Sequence, residues 1–195
     1  MVMKTCIASM FKYNFRVPGS QVNAPIGFAI GHAVLGKVLI GRSQLGICAI
    51  FLGDDDQTLL SQIATEFPHI ELQADQVALQ GELGQVIDFI DNDESKVIIN
   101  LDIGGTAFEQ KVWQALCNIP AGKTCSYSDV ARNIGMPEAA RAVAGACAAN
   151  VLAIAIPCHR VVRSDGSISG YRWGIERKRA LLTEEATERA VEISA

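Results

Sequence analysis

Between Gly27 and Leu52, short apolar runs alternate with glycines, and this pattern constrains the fold more than any other feature of the sequence. The runs read GFAIGHAV, GKVLIGRS and GICAIFLG. Each is as long as an ordinary strand, and Gly31, Gly36 and Gly41 stand where turns or bulges are needed. The pattern therefore predicts three short strands in an antiparallel meander.

Helical patterns follow this meander. Asp54–Asp56 stand where a helix would begin, and acidic residues favour a helix N-terminus. Three neighbouring carboxylates also occur in metal sites, but helix capping explains them more simply. A second helix is predicted over Ala78–Asn92, a turn over Asn92–Lys96 and a strand over Val97–Leu101. The first half of the chain thus combines a sheet with helices.

The character of the sequence changes at Gly104–Gly105, which divides two predicted domains, residues 1–104 and 105–195. The first domain holds 6 lysines and arginines against 12 acidic residues, and the second holds 11 against 9. Only the second has a positive balance that could face phosphates. Any nucleic-acid partner is therefore expected to bind the second domain.

The second domain is predicted to be mostly helical. Thr106 is the predicted N-cap of a helix over Ala107–Asn118, and Ser126 that of a short helix over Tyr127–Ile134. A further helix is predicted over Pro137–Ala149. Two short helices split by a glycine-containing turn are typical of a helix-turn-helix, and they also occur as plain packing units. The pattern alone leaves both interpretations open.

The second of these two helices consists almost entirely of small residues. It reads EAARAVAGACAAN, in which Arg141 is the one large basic side chain. A helix that reads base edges in the major groove carries several long polar side chains, which are missing here. Small residues instead allow close approach, either to another helix or to a narrow groove.

An apolar run over Val151–Ile156, interpreted as a strand, leads to Pro157, Cys158 and His159. A cysteine becomes a nucleophile when a base, a cation or a helix N-terminus favours its thiolate, and His159 and Arg160 are candidates. Neighbouring residues of a strand point to opposite faces, so a Cys158–His159 interaction needs a turn or a bridging water. The alternative is a buried cysteine beside an exposed histidine.

The stretch IPCHRVV, with RAVAGACAAN before it and SGYRWGIERKRALL after it, resembles the O6-alkylguanine-DNA alkyltransferase family. The resemblance is greatest to the alkyltransferase half of the bacterial adaptive-response (Ada) proteins. It extends to RSQLGICAIFLGDDDQTLLSQ and LDIGGTAFEQKVWQALCNIPAG. The resemblance implies an α+β fold, in which a ribonuclease-H-like antiparallel sheet with helices precedes a winged-helix-like domain carrying the helix-turn-helix.

The resemblance also implies the chemistry. Cys158 would accept an alkyl group from O6 of guanine, or from O4 of thymine, in one irreversible displacement that consumes the protein. His159 would act as the base through a water, Glu185 would orient His159, and Asn150 would brace the turn before the cysteine. Tyr127 would help turn the nucleotide and hydrogen-bond the guanine, and a phenol can supply the proton that departing guanine needs.

Double-stranded DNA with an O6-alkylguanine is the partner that the resemblance implies. The small-residue helix, with Ala140, Ala142 and Gly145, would enter the minor groove, and Arg141 would fill the space left by the flipped nucleotide. The substrate pocket would be formed by Pro157, Val161, Tyr171, Arg172 and Trp173. The bulk of Trp173 would narrow the pocket for large alkyl groups.

Three other functions are compatible with parts of the pattern. A thiol hydrolase would use the same Cys158–His159 pair with an oxyanion hole, a non-catalytic damage sensor of this family would lack the cysteine, and a helix-turn-helix regulator would need base-reading side chains. The six cysteines form no CxxC pair and the three histidines lack metal-ligand spacing, so we expect no metal and no cofactor.

The remaining expectations concern the setting of the protein. The apolar runs are too short to cross a bilayer, and the N-terminus does not read as a secretion signal. We therefore expect a cytoplasmic protein without membrane contact. We also expect it to be a monomer. The cysteine-rich zinc domain of the full adaptive-response proteins does not precede this sequence, so we expect either a stand-alone repair protein or a piece of a longer one, without transcriptional activation.

Overall fold

The structure is a computed structural model that describes residues 10–91 and 98–194. These residues divide into two compact units. One contains residues 10–105 with 151–153, and the other contains residues 106–150 with 154–194. Together they form a mixed α+β protein with six helices and a six-stranded sheet in the described part. Among the described helices, none is both long and apolar enough to cross a membrane.

The first unit is built on the six-stranded sheet. Its strands are β1 (Phe11–Phe15), β2 (Ile26–Ala33), β3 (Gly36–Ser43), β4 (Gly46–Gly53), β5 (Leu72–Ala74) and β6 (Ile99–Ile103), in the spatial order β1-β6-β4-β3-β2-β5. The central strands β2, β3 and β4 pair antiparallel through tight turns. The predicted meander is therefore confirmed.

The outer strand pairs correct the prediction of an antiparallel sheet. β1 pairs with β6, β6 with β4, and β5 with β2, all in parallel. Helix α1 (Asp56–Glu66) connects β4 to β5, and helix α2 (Gln80–Ile90) lies between β5 and β6. A helical crossover returns the chain in its original direction, whereas a tight turn reverses it. The sheet is mixed for this reason.

The glycines of the meander have different roles. Gly36 has a φ of 108° at the β2–β3 turn, and the strand register shifts after Gly41, as a turn and a bulge would require. Gly31 lies inside β2, where an added Cβ would stand 2.6 Å from Cδ1 of Ile87. The prediction of a turn or bulge at Gly31 is wrong, because that glycine makes room for α2.

The start of α1 agrees with the capping interpretation of the acidic cluster Asp54–Asp56. Asp55 is the N-cap of α1 and its carboxylate accepts from the backbone N–H of Thr58 at 2.7 Å. The predicted second helix corresponds to α2. The predicted turn Asn92–Lys96 and Val97 of the predicted strand lie outside the described residues.

The second unit contains four helices and a two-stranded ladder. Its elements are α3 (Ala107–Cys117), β7 (Cys125–Ser126), α4 (Tyr127–Asn133), α5 (Ala140–Ala148), β8 (Val161–Val162) and α6 (Ile175–Ser194). Thr106 and Ser126 both form capping boxes, with Glu109 and Asp129 respectively, so both predicted N-caps are confirmed. A 3-10 turn over Pro137–Ala139 precedes α5. The indole N–H of Trp113 donates to the carbonyl of Ala146 at 2.9 Å, which joins α3 to α5.

The strand interpretation of Val151–Ile156 is wrong. Leu152 makes one isolated bridge to Ile50, and Ile154 has a φ of 60°, which no strand accommodates. Residues 152–156 are all buried, so their apolar character reflects burial on every side and not a strand in a sheet. The chain therefore reaches Cys158 through a series of turns.

Candidate active site

Cys158 begins a 3-10 turn that ends at Arg160. The side-chain amide of Asn150 donates to the carbonyl of Ile156 at 2.9 Å and to Sγ of Cys158 at 3.2 Å. Asn150 and Cys158 are both buried. One amide thus closes the turn and touches the thiol that the turn presents.

The Cys158 thiol is protonated at rest. Burial raises its pKa to about 11, against opposing effects of the Asn150 hydrogen bond and the positive charge of Lys178. The thiolate, not the thiol, is the nucleophilic form of a cysteine. Cys158 therefore needs a base at the moment of reaction.

His159 is buried, with 2% of its surface exposed, and its environment defines which nitrogen can act as a base. Its Nε2 lies 2.9 Å from Oε1 of Glu185 on α6. Burial lowers the pKa of His159, although Glu185 opposes the shift, so the ring is neutral at neutral pH. Because an ionised carboxylate only accepts, Nε2 carries the hydrogen and Nδ1 has a free lone pair.

The free lone pair of His159 is buried and has no hydrogen-bond partner among the described residues. Successive residues of a 3-10 turn are about 120° apart, because the turn has three residues per repeat. The opposite-face arrangement of a strand is therefore absent at Cys158 and His159. The two side chains therefore need not point to opposite faces, as they would on a strand.

Glu185 is held by more than the histidine. Arg160 donates from Nε to both carboxylate oxygens at 3.1 Å and from Nη2 to Oε1 at 2.8 Å, and the backbone N–H of Gly122 donates to Oε2 at 3.2 Å. Burial raises the pKa of Glu185, but the hydrogen bonds from His159 and Arg160 outweigh it and lower the pKa to about 2. Glu185 is therefore ionised throughout the physiological range. Arg160 also donates to the carbonyl of Ile119.

A second polar chain contains Tyr127, Ser169 and Lys178. The Tyr127 hydroxyl lies 2.6 Å from Oγ of Ser169, and Nζ of Lys178 donates to the same Oγ at 2.9 Å. Lys178 also donates to the carbonyl of Val161 at 2.5 Å. Burial raises the pKa of Tyr127, and electrostatic interaction with Cys147 and Cys158 adds to the rise. The phenol is therefore protonated at neutral pH.

Aromatic side chains lie beside His159. The Tyr171 ring is edge-on to His159 with centroids 6.4 Å apart, and edge-on to Trp173 with centroids 5.0 Å apart. The Tyr171 hydroxyl and the Trp173 indole N–H are buried and lack hydrogen-bond partners within the described part of the chain. Two donors without acceptors are an arrangement that a polar ligand or water could satisfy.

The other predicted pocket residues are placed as follows. Pro157 and Val161 are buried, and Nη1 of Arg172 donates to the carbonyl of Ala148 at 3.3 Å. Arg172 also contributes a positive potential at Cys158. The pocket assignment of these residues stays a prediction.

The small-residue helix α5 presents one open face. Arg141, Ala142 and Gly145 are exposed and Ala140 is half-buried, whereas Val143 and Ala146 are buried. A Cβ added to Gly145 would meet nothing within 4 Å. Apart from Arg141, this side of α5 carries only small side chains. A helix that approaches another molecule closely would require such a surface.

Sequence reasoning missed Ser169 and Lys178, and gave Arg160 no partner. Lys178, Leu181 and Glu185 are spaced by three and four residues and so share one face of α6. Leu181 is buried on that face. Charged residues at the apolar spacing of a helix were the signal that could have identified Lys178. Among the described residues, no group of three or more histidine, cysteine or acidic side chains could hold a metal ion.

Comparison with known proteins identifies the family of this chain. Residues 107–187 match the family model described as 6-O-methylguanine DNA methyltransferase, DNA binding domain. The chain is 50% identical over 164 residues to the bifunctional transcriptional activator/DNA repair enzyme Ada of Escherichia coli K12, covering 84% of this chain and 46% of Ada. It is 37% identical over 158 residues to the inducible methylated-DNA--protein-cysteine methyltransferase of Bacillus subtilis 168, covering 81% and 83% respectively.

Solved structures show the same relationship. The Mycobacterium tuberculosis OGT, in a crystal structure with DNA, is 33% identical with a TM-score of 0.68, covering 83% of this chain and 93% of OGT. This chain spans about half the length of the Ada proteins of Escherichia coli and Salmonella typhimurium. The Bacillus subtilis relative, by contrast, is matched over most of its length. The chain belongs to the O6-methylguanine-DNA methyltransferase family.

Proposed function

We propose that this chain repairs DNA by moving the alkyl group of O6-alkylguanine onto Sγ of Cys158, in a single step that the protein performs once. The observation that carries the proposal is the buried Cys158 thiol next to the neutral ring of His159. The Nε2 of that ring is hydrogen-bonded to the ionised carboxylate of Glu185. Membership of the family and the names of its relatives support the same reaction.

The reaction begins with deprotonation of the thiol. Cys158 gives its proton through a water to Nδ1 of His159, whose lone pair has no other partner among the described residues. Glu185 stabilises the imidazolium that forms, since its carboxylate already accepts from Nε2 at 2.9 Å. The arrangement supplies a base to a thiol that would otherwise remain protonated.

The thiolate then displaces guanine from the alkyl carbon. A bond forms between Sγ and that carbon, the bond to O6 breaks, and its electron pair leaves with the guanine. The Tyr127 hydroxyl donates a proton to the departing base, since its pKa is raised and it is protonated at neutral pH. The product is a thioether on Cys158, and no step regenerates the thiol.

The DNA partner binds at the open face of α5. The small side of this helix, with Ala140, Ala142 and Gly145, enters the minor groove, and Arg141 replaces the flipped nucleotide in the stack. Pro157, Val161, Tyr171, Arg172 and Trp173 form the pocket for the flipped base. The unpartnered donors of Tyr171 and Trp173 support a polar occupant there.

Several finer features belong to the same proposal. The first unit has ribonuclease-H-like topology and the second is winged-helix-like, with domains divided at residue 104. O4-alkylthymine is a second substrate, and the protein works as a cytoplasmic monomer. The mixed sheet of the first unit and the α4–α5 pair of the second support this architecture.

Mass spectrometry after incubation with duplex DNA containing O6-methylguanine tests the reaction. We expect one methyl group on the peptide that contains Cys158, and none on any peptide of Cys158→Ala. The matched control is Cys48→Ala, which removes a buried thiol of the first unit and should leave the methyl on Cys158. A methyl group on another cysteine, or repeated release of guanine without modification, contradicts the proposal.

Replacement of Arg141 tests the DNA contact. Arg141→Ala should slow repair of duplex DNA, and should leave the reaction with free O6-methylguanine base unchanged, because the free base needs no flipping. Arg132→Ala, which removes an exposed arginine of α4 paired with Asp129, is the control for loss of one positive charge. Equal losses on duplex and free base would contradict the assigned role.

A further inference from the structure

We propose that Lys178 and Ser169 form a proton relay that resupplies Tyr127 when guanine departs, so that the proton gained by the base comes ultimately from Lys178. The hydrogen bonds that join Lys178, Ser169 and Tyr127 in series carry this inference. The inference rests on the proposed function, because it concerns the leaving group of that reaction.

Lys178 is a buried cation in an unusual environment. Its side chain is 0% exposed, and within the described residues its polar contacts are the Val161 carbonyl and the Ser169 hydroxyl. No carboxylate of the described part of the chain forms an ion pair with it. Burying an ammonium group is costly unless it is paired, and a buried lysine commonly releases its proton instead. Lys178 is thus suited to give up a proton.

The hydrogen-bond directions favour transfer toward Tyr127. The Lys178 ammonium can only donate, so Ser169 Oγ accepts from it. The single Ser169 proton then points to the Tyr127 oxygen at 2.6 Å, in preference to the Val161 carbonyl at 3.4 Å. Because Tyr127 accepts from Ser169, its own proton is available for a third group. In the proposed function that group is the guanine.

Alkyl transfer itself would trigger the relay. Burial lowers the pKa of Lys178, whereas negative charge on Cys158 or Cys147 raises it. Lys178 also interacts electrostatically with His159, whose protonation would further favour release of the Lys178 proton. The groups that act on Tyr127 are Ser169, Cys147, Cys158 and Arg163. When the Cys158 thiolate becomes a neutral thioether, the anion that stabilised the Lys178 ammonium is removed. The lysine then holds its proton less tightly at the moment the guanine needs one.

The step balances in atoms and charge. The electron pair of the broken carbon–O6 bond leaves with guanine, which takes the Tyr127 proton. Tyr127 takes the Ser169 proton and Ser169 takes one from Nζ of Lys178. The thiolate and the ammonium at the start are replaced by a thioether and a neutral amine at the end. The proton that Cys158 released stays on His159.

Two methyl donors distinguish the contribution of the relay from the reactivity of the Cys158 thiol. O6-methylguanine in duplex DNA needs a proton on its leaving group, whereas iodomethane releases iodide, which needs none. In Ser169→Ala, we expect the single-turnover rate with the DNA to fall about 100-fold, the lower end of what a general acid contributes. The rate with iodomethane should stay at the wild-type value. Ser169→Thr keeps a hydroxyl and should restore the DNA reaction.

Lys178→Met provides an independent variant. It should lower the rate with DNA at least as much as Ser169→Ala does, because the Lys178 charge also lowers the pKa of the Cys158 thiol. It should also abolish the decrease in rate that deprotonation of Lys178 causes at alkaline pH in the wild type. Adding Ser169→Ala to Lys178→Met should cause no further loss, because both substitutions interrupt one pathway. A merely structural role would leave the alkaline pH profile unchanged.

The contrary outcomes are distinct. A full rate with DNA in Ser169→Ala, an equal loss with iodomethane, or multiplied losses in the double variant would each overturn the relay. If the wild type is methylated at Cys158 by iodomethane but not by DNA, the proposed function fails instead.

Discussion

Two buried cations of the second unit, Arg160 and Lys178, differ in one respect: Arg160 has a carboxylate partner and Lys178 has none in the described part of the chain. Both are at most 1% exposed, and both are hydrogen-bonded to backbone carbonyls. Arg160 makes three hydrogen bonds to Glu185, which keeps that carboxylate ionised and the His159 ring oriented. Lys178 lies instead near two thiols. Two equally buried cations of one unit can therefore differ in function: Arg160 keeps its charge beside Glu185, whereas Lys178 can release a proton.

Removal of each cation in turn should give the largest contrast. Arg160→Met leaves Glu185 buried without its main partner, so we expect a loss of about 3–5 kcal/mol in the free energy of unfolding. Lys178→Met removes an unpaired buried charge, which is costly to bury, and also removes two hydrogen bonds, so its net effect on the free energy of unfolding should be much smaller. Urea unfolding at neutral pH measures both, with Arg132→Met as an exposed control. Equal destabilisation by the two substitutions would remove the distinction between the cations.

Of the two buried cations, only Arg160 has a carboxylate partner, so acid should weaken the contribution that Glu185 makes to stability. The pKa of Glu185 is lowered from 4.5 to about 2 in the folded protein, so its contribution to stability is present above pH 4.5 and disappears as pH falls toward 2. The shift corresponds to about 3 kcal/mol by linkage. In Glu185→Gln, the part of the acid dependence that arises from this group should vanish. Unfolding free energies between pH 6 and pH 3 test this, and an unchanged acid dependence in the variant would contradict the assigned ionisation.

The rate of methyl transfer should depend on pH through His159. Burial lowers the pKa of this ring below 6.5, and only the neutral ring can accept the Cys158 proton. We therefore expect the single-turnover rate to be constant near pH 7 and to fall by about tenfold per pH unit once His159 is protonated, since each unit changes the neutral fraction tenfold. A rate that falls already between pH 8 and pH 7 would show that Glu185 raises the pKa of His159 more than burial lowers it.

The smallest effect is expected at Cys147. Burial raises the pKa of this thiol far above neutral pH, so it carries no charge that could stabilise Lys178 in the resting protein. Cys147→Ala should leave unchanged both the rate of methyl transfer and the pH at which that rate decreases on the alkaline side. If the alkaline decrease in rate moved to lower pH in this variant, Cys147 would be an anionic partner of Lys178. Both buried cations would then have an anionic partner.

Parts of this site could be predicted from sequence because they depend on neighbours along the chain. The caps at Thr106 and Ser126 involve a residue three positions away, and the small face of α5 follows from helical periodicity. Glu185 was assigned to His159 by its place in the resemblance, and the two side chains do meet at 2.9 Å. The strand at Val151–Ile156 was wrong because an apolar run indicates burial without specifying the backbone that is buried.

The sequence by itself determined the family, the meander, most of the helices and the candidate nucleophile, Cys158, because these follow from local patterns and from a motif of adjacent residues. Only the tertiary structure decided that Arg160 is hydrogen-bonded to Glu185 and that Lys178 is hydrogen-bonded to Ser169. The reason is that α6 brings its side chains into contact with residues 9 to 26 positions earlier in the chain. The physical reason is that protonation depends on which charges remain nearby after water is excluded. That depends on packing between distant segments, and so the fold decides which of the two cations can part with a proton.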